Sequence, residues 1–324
     1  MNGARALVLG GAGFLGSHIA RRLAADGAKV TVVDALLNYT GANLFNLQGA
    51  HVEIVRGDVI AMPDFRERVA QSDVVFDAMG TTGHQWAYLH PELDLAANVG
   101  SHLSVLAAIG EISSPPRIVH LSSRAVYGRA RTPAIDEGHA LAPADLQGSH
   151  KLLAERHLEM LGAARGLDAT VLRVGNCYGP GQRLSGDDVG LIGGILRDIM
   201  RGRTATIYGG SNRRRDFLFA DDLADAALAA GSTFGGGFRV FNIGGPSEQL
   251  VDAARQLIAA AGRGSIDLAP FPEDVARIDP GQFVLDCTRA QDALGWTPKT
   301  SFAAGAAATV RYYSSHAQEY GLID

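Results

Sequence analysis

The sequence predicts an α/β chain, a doubly wound parallel sheet with a smaller cap built from the C-terminal third. Three observations carry this. Short β-branched apolar runs alternate with stretches of helical period over the first half of the chain. Those runs are continuously apolar rather than alternating, as expected of strands buried on both faces. Near Cys177 the texture changes, and loop signals and Gly/Arg-rich segments replace the strand–helix rhythm.

In chain order, the expected strands are Ala6–Leu9, Val30–Val33, Val52–Val55, Val74–Phe76, Ile118–Leu121 and Thr170–Val174. Gly16–Ala25 and Asn98–Ile109 read as crossover helices between them, which parallel pairing requires. Tyr178-Gly179-Pro180-Gly181 opens a loop, followed by Gly202-Arg203 and Arg213-Arg214-Arg215. Arg239–Ile243 reads as a late return to the sheet, and Gln249–Ala261 and Ala303–Ser314 as helices of the cap. The expected division is residues 1–175 with about 215–247 in the sheet domain, and about 176–214 with 248–324 in the cap. Ligands in such sheets bind outside the carboxyl ends of the strands, so a cap over that edge closes a cleft.

The 324 residues are 47% hydrophobic, enough for a substantial core. A net charge of −5 and a pI near 6.1 give no footprint for nucleic acid or an anionic membrane. The two cysteines, Cys177 and Cys287, form neither a disulfide framework nor a metal-ligand cluster, so no metal is expected. The strand pattern begins by Arg5 and leaves no room for a signal peptide, so a cytoplasmic protein is expected.

The first strand runs into Gly10-Gly11-Ala12-Gly13-Phe14-Leu15-Gly16 and then a helix. Glycines at 10, 13 and 16 serve a tight turn, close approach of backbone to a pyrophosphate, and close helix–strand packing. The phosphates would meet free N–H groups in the first turn, at Phe14 and Leu15, and the positive end of the helix dipole. Asp34 ends the second strand, where it would accept hydrogen bonds from the adenosine ribose and repel a 2′-phosphate, favouring NAD over NADP. Asp58 and Val59 close the third strand, where the carboxylate or its neighbouring amide could reach the adenine, although Asp58 also reads as an ordinary turn residue.

Together these residues resemble the extended short-chain dehydrogenase/reductase family, the NAD-dependent nucleotide-sugar epimerases and dehydratases with a Rossmann-type sheet. Leu121-Ser122-Ser123-Arg124-Ala125-Val126-Tyr127-Gly128 is similar to the family's fifth-strand signature, which implies a catalytic Ser123. Leu172-Arg173-Val174-Gly175-Asn176-Cys177-Tyr178-Gly179-Pro180 is similar to its sixth-strand motif, whose asparagine, here Asn176, contacts substrate. Arg215-Asp216-Phe217 and Leu294-Gly295-Trp296-Thr297-Pro298 resemble later family segments. The resemblance implies that Arg215, with the Arg277/Asp279 pair, meets the diphosphate and ribose of a nucleotide sugar, with a UDP-sugar favoured. It also implies a homodimer built on a four-helix bundle.

One departure dominates. The family's Tyr-x-x-x-Lys reads Gln147-Gly148-Ser149-His150-Lys151 here, with Glu155 following in register. Lys151 is still expected to bind the nicotinamide ribose. Glutamine exchanges hydrogen bonds but cannot take the sugar hydroxyl proton, and a positioned base contributes roughly 10²–10⁴-fold. His150, three residues along the same helix, and His84, in the loop after the fourth strand, are the candidate replacements; His84 is also expected at the substrate. Arg124 and Ala125 stand where the family's 4,6-dehydratases carry an Asp-Glu pair, so that dehydration is disfavoured and Arg124 is expected to face substrate. Three readings stay open: a C4 epimerase, a dehydratase or ketoreductase acting on a specialised sugar, and an inactive NAD- or nucleotide-sugar-binding regulator.

Overall fold

A computed structural model of the chain describes every residue except 82, 187, 188, 234, 236, 274, 275, 277, 278, 280, 323 and 324. The expectation for Arg277 therefore lies outside the described residues. All seven expected strands pair into one parallel sheet: β1 (Arg5–Leu9), β2 (Lys29–Asp34), β3 (Glu53–Arg56), β4 (Val74–Asp77), β5 (Arg117–Ser123), β6 (Ala169–Val174) and β10 (Phe238–Ile243). Their order is β10-β6-β5-β4-β1-β2-β3. Ala6 of β1 pairs with Val30 on one side and Val74 on the other, so the chain reverses its direction of travel across the sheet at β1. That is the switch point at which such sheets open a ligand crevice.

Successive side chains of a strand point to opposite faces, and both faces are buried here. Val8, Val32, Phe76 and Leu121 pack against Ile19 and Leu23 of α1 (Phe14–Ala25) and Leu223 and Ala227 of α8 (Ala220–Ser232). Leu9, Val33, Val75 and Val171 pack against Val69 of α2 (Phe65–Ala70), Val105 and Ile109 of α5 (Ser101–Gly110), and Leu158 of α6 (Leu146–Arg165). Pro91–Gly110 is long and apolar enough by composition to cross a membrane, and half of it is buried within the protein.

The C-terminal region is less purely helical than its sequence suggests. Helices α7 (Leu191–Met200), α9 (Leu250–Ala261) and α11 (Phe302–Ser315) share a second core with β8 (Thr204–Tyr208). β8 pairs in parallel with β12 (Ser265–Ala269). Ala205 and Ile207 of β8 are buried while Thr204, Thr206 and Tyr208 are exposed, a short alternation that the surrounding Gly/Arg texture hides. A three-stranded sheet joins the regions: β9 (Arg214–Phe219) lies between β7 (Asn176–Tyr178) and β11 (Ser247–Gln249). Leu218 faces the sheet domain, while Phe217 and Phe219 enter the cap core.

Candidate active site

The glycine loop leaves β1 at the switch point. A Cβ on Gly16 would lie 2.3 Å from the Gly10 carbonyl oxygen, so only glycine lets α1 start this close to the strand end. No side chain caps α1, leaving its first amides for an anionic ligand. Asp34 closes the loop from beside it: its carboxylate accepts from the Ala12 amide at 2.9 Å and the Leu36 amide at 2.8 Å. Burial pushes the Asp34 carboxyl up, against those amide bonds. This narrow, amide-lined turn with a carboxylate at the next strand end fits a dinucleotide. Asp58 is exposed just past the end of β3 and accepts from the Ile60 amide at 3.0 Å, and Val59 is buried in the core. Phe14 and Leu15 are half-buried in the first turn of α1.

The other half of the site is assembled by α6. Asp145 caps the helix, accepting from the Gly148 amide at 2.7 Å. Within the first turn, Gln147 is buried; its Nε2 donates to the Thr81 carbonyl at 3.1 Å, and its Oε1 has no partner among the described residues. Lys151 Nζ donates to the carbonyls of Met79 and Leu121 at 3.0 and 3.1 Å, which leaves one of its three N–H groups free. Burial lowers its pKa, against the pull of Asp77, Asp94 and Glu155. Ser123 ends β5, with Oγ accepting from the Ala125 amide at 3.1 Å.

The two candidate histidines meet different partners. His150 Nδ1 lies 2.6 Å from Asp94 Oδ2. Asp94 is fully buried, bonds the Thr81 hydroxyl with its other oxygen, and so ties α6 to α4 (Pro91–Leu95). His84 begins α3 (His84–Leu89), with Nδ1 2.8 Å from Asp145 Oδ2. Sequence reasoning singled out neither Asp94 nor Asp145; the one available signal was Asp145 standing in cap position before the motif.

Beneath the cap opens a cleft walled by His84, Arg124, Asp145, Tyr208, Arg215 and Asp279 among others. Asp279 draws Arg213 to 2.5 Å and Arg215 to 3.2 Å, and Arg213 also lies over the Phe271 ring, 4.8 Å from its centroid. Burial, with the neighbouring charges of Arg124 and Arg213, lowers the Arg215 pKa to about 10. Arginines crowded onto one carboxylate leave positive charge for a phosphate-bearing ligand. Asn176 donates to the Asp216 backbone carbonyl at 3.1 Å, and burial pushes the Asp216 carboxyl up to about 6. Arg213 was missed in the sequence because a run of three arginines does not say which one faces inward.

Residues 6–244 match the profile of the NAD dependent epimerase/dehydratase family. Over 319 residues the chain is 31% identical to a UDP-glucose 4-epimerase from Mycolicibacterium smegmatis, an alignment covering 97% of this chain and 100% of that one. The fold superposes on the UDP-glucose 4-epimerase of Thermotoga maritima, solved with UDP-glucose, with a TM-score of 0.83 at 26% identity over 97% of this chain and 100% of that one. It superposes on MoeE5 in complex with UDP-glucose and NAD with a TM-score of 0.80, again at 26% identity over 97% and 100%.

Proposed function

Since this chain belongs to the NAD-dependent epimerase/dehydratase family and is an NAD-dependent enzyme of it, we propose that it interconverts the C4 epimers of a UDP-sugar by transient oxidation. The observation that carries the reading is the buried Oε1 of Gln147, without a partner among the described residues, on the same helix as Lys151. Its amide is anchored through Nε2, so the free oxygen is a fixed acceptor for a sugar hydroxyl. Glutamine there can accept a hydrogen bond from the sugar but cannot serve as the base.

NAD held here would supply a hydride acceptor and donor for C4 of the sugar. Asp34 keeps the shape of the glycine loop and would hold the adenosine ribose, and Lys151 would give its remaining N–H to the nicotinamide ribose. Ser123 donates to the sugar oxygen at which charge develops. Arg215 and Arg213 exchange part of their hold on Asp279 for the diphosphate, and Asn176 contacts the substrate.

The test is proton NMR of UDP-glucose, UDP-N-acetylglucosamine and UDP-glucuronate incubated with the NAD-loaded protein. A C4 epimer of at least one is expected, and none, with NAD bound, would defeat the reading in favour of a regulatory role or a specialised sugar. A homodimer belongs to the same proposal. Leu89, Leu103, Leu153 and Met160 are exposed on α3, α5 and α6, an apolar surface suited to a second copy of the chain. Sedimentation at the mass of a single chain would exclude it.

A further inference from the structure

We infer that His84, held by Asp145, is the general base that takes the sugar hydroxyl proton in place of the absent tyrosine, an inference that rests on the epimerase reading above. The two residues come from different elements, meet at 2.8 Å and both line the cleft. Nδ1 of His84 is buried, 2.8 Å from Asp145 Oδ2 and off the line of the ring N–H. Such contacts commonly align only when substrate is bound. About a third of the His84 side chain is exposed, against 7% for Asp145, and His84 lines the cleft. The carboxylate cannot drift, because its other oxygen caps α6.

The pair also brackets the altered position. Asp145 lies two residues before Gln147, and Gln147 bonds the carbonyl of Thr81, three residues before His84. Burial would raise the Asp145 carboxyl, but His84, the Gly148 amide and Arg124 outweigh it and hold it below the usual range. It is therefore charged at neutral pH, orients the ring and stabilises the imidazolium, as the acid of a hydrolytic triad does. Arg124, on the turn after β5, and Arg213, Arg215 and Asp279, across the cleft, are the other charges in its wall. His150 is held by Asp94 in the same manner, but it does not line the cleft and its side chain is only 14% exposed.

The step balances without further reactants. The hydroxyl proton passes to Nε2 of His84, the C4–H electron pair leaves as hydride to NAD, and C4 becomes a carbonyl. On return the hydride adds to the opposite face and the imidazolium gives its proton back to the oxygen.

Two variants test this, His84→Gln and Asp145→Asn, the second of which keeps a helix cap. With whichever UDP-sugar the wild type turns over, His84→Gln is expected to lower kcat by roughly 10²–10⁴-fold while retaining bound NAD. In the NAD-loaded protein, nitrogen NMR of the neutral His84 ring is expected to show its proton on Nδ1, beside Asp145, and to show the proton moved to Nε2 in Asp145→Asn. Full turnover by His84→Gln beside an active wild type overturns the base role alone. A ring tautomer unchanged in Asp145→Asn overturns the pairing. A wild type inactive on every UDP-sugar overturns the epimerase reading and the base role with it, and the tautomer then decides only whether the pair exists.

Discussion

Replacing Glu155 with alanine is expected to destabilise the protein by about 3–5 kcal/mol, the cost of stranding a buried cation. Glu155 and Arg173 are almost wholly inaccessible. Arg173 holds the carboxylate with Nε at 3.1 Å from each oxygen and a terminal nitrogen at 2.7 Å. The same carboxylate accepts from the Ser122 hydroxyl. Arg173 continues to the Tyr127 hydroxyl at 2.9 Å, and that hydroxyl donates to Asn242 at 2.6 Å. The chain of bonds links α6, β5, β6 and β10 next to Ser123 and one turn from Lys151, so it fixes the spacing of β5 and α6. Denaturant unfolding measures the loss. The added change Arg173→Met should recover much of it, because an apolar replacement leaves no charge stranded. A loss below about 1 kcal/mol in the single variant would show that water reaches Arg173 and that the network is not closed.

Stability is expected to fall by about 3 kcal/mol as the pH drops from 6.5 towards 4, through His120. Asp77 Oδ2 lies 2.9 Å from Nδ1 of both His102 and His120, and all three residues are buried. Burial, reinforced by His102 and Lys151 and opposed by Asp77, lowers the His120 pKa from 6.5 to about 4. The Asp77 carboxyl is held far below its usual value by the two imidazoles, against its own burial, and stays charged across this window. Below pH 6.5 the unfolded chain binds a proton at His120 that the folded chain refuses until about 4. The stability is thus complete above 6.5 and drains away as the pH falls, by about 1.4 kcal/mol per pH unit. Urea midpoints at pH 7, 6 and 5 should show a slope shallower by about one proton in His120→Asn. Parallel slopes for the two proteins would contradict the assignment.

The parts of this molecule legible in the sequence are those written at short, fixed spacings. Each sheet strand is a local apolar run, and the glycine loop, Asp34, Ser123 and Lys151 stand at distances set by one strand end or one helical turn. The pairings of side chains across elements were not legible. Asp145 meets His84 from 61 positions away, and Asp94 meets His150 from 56. Nothing local says that two helix starts face each other, nor that Asp279 will gather Arg213 with Arg215. The sequence marked His150 and His84 alike as replacement bases; only the cleft, which His84 lines and His150 does not, tells the two apart. The β8–β12 pair escaped for a related reason, since two short strands far apart in sequence form a sheet only once the cap core brings them together.

Proton NMR of the epimer formed in D2O separates transient oxidation from any route through a carbanion. If the C4 hydrogen leaves as hydride and returns within the closed cleft, the product keeps its C4 proton and its C4 resonance at full intensity. Loss of that resonance through solvent deuterium at C4 would mean that the hydrogen leaves as a proton, and would contradict hydride transfer as the chemistry of this site.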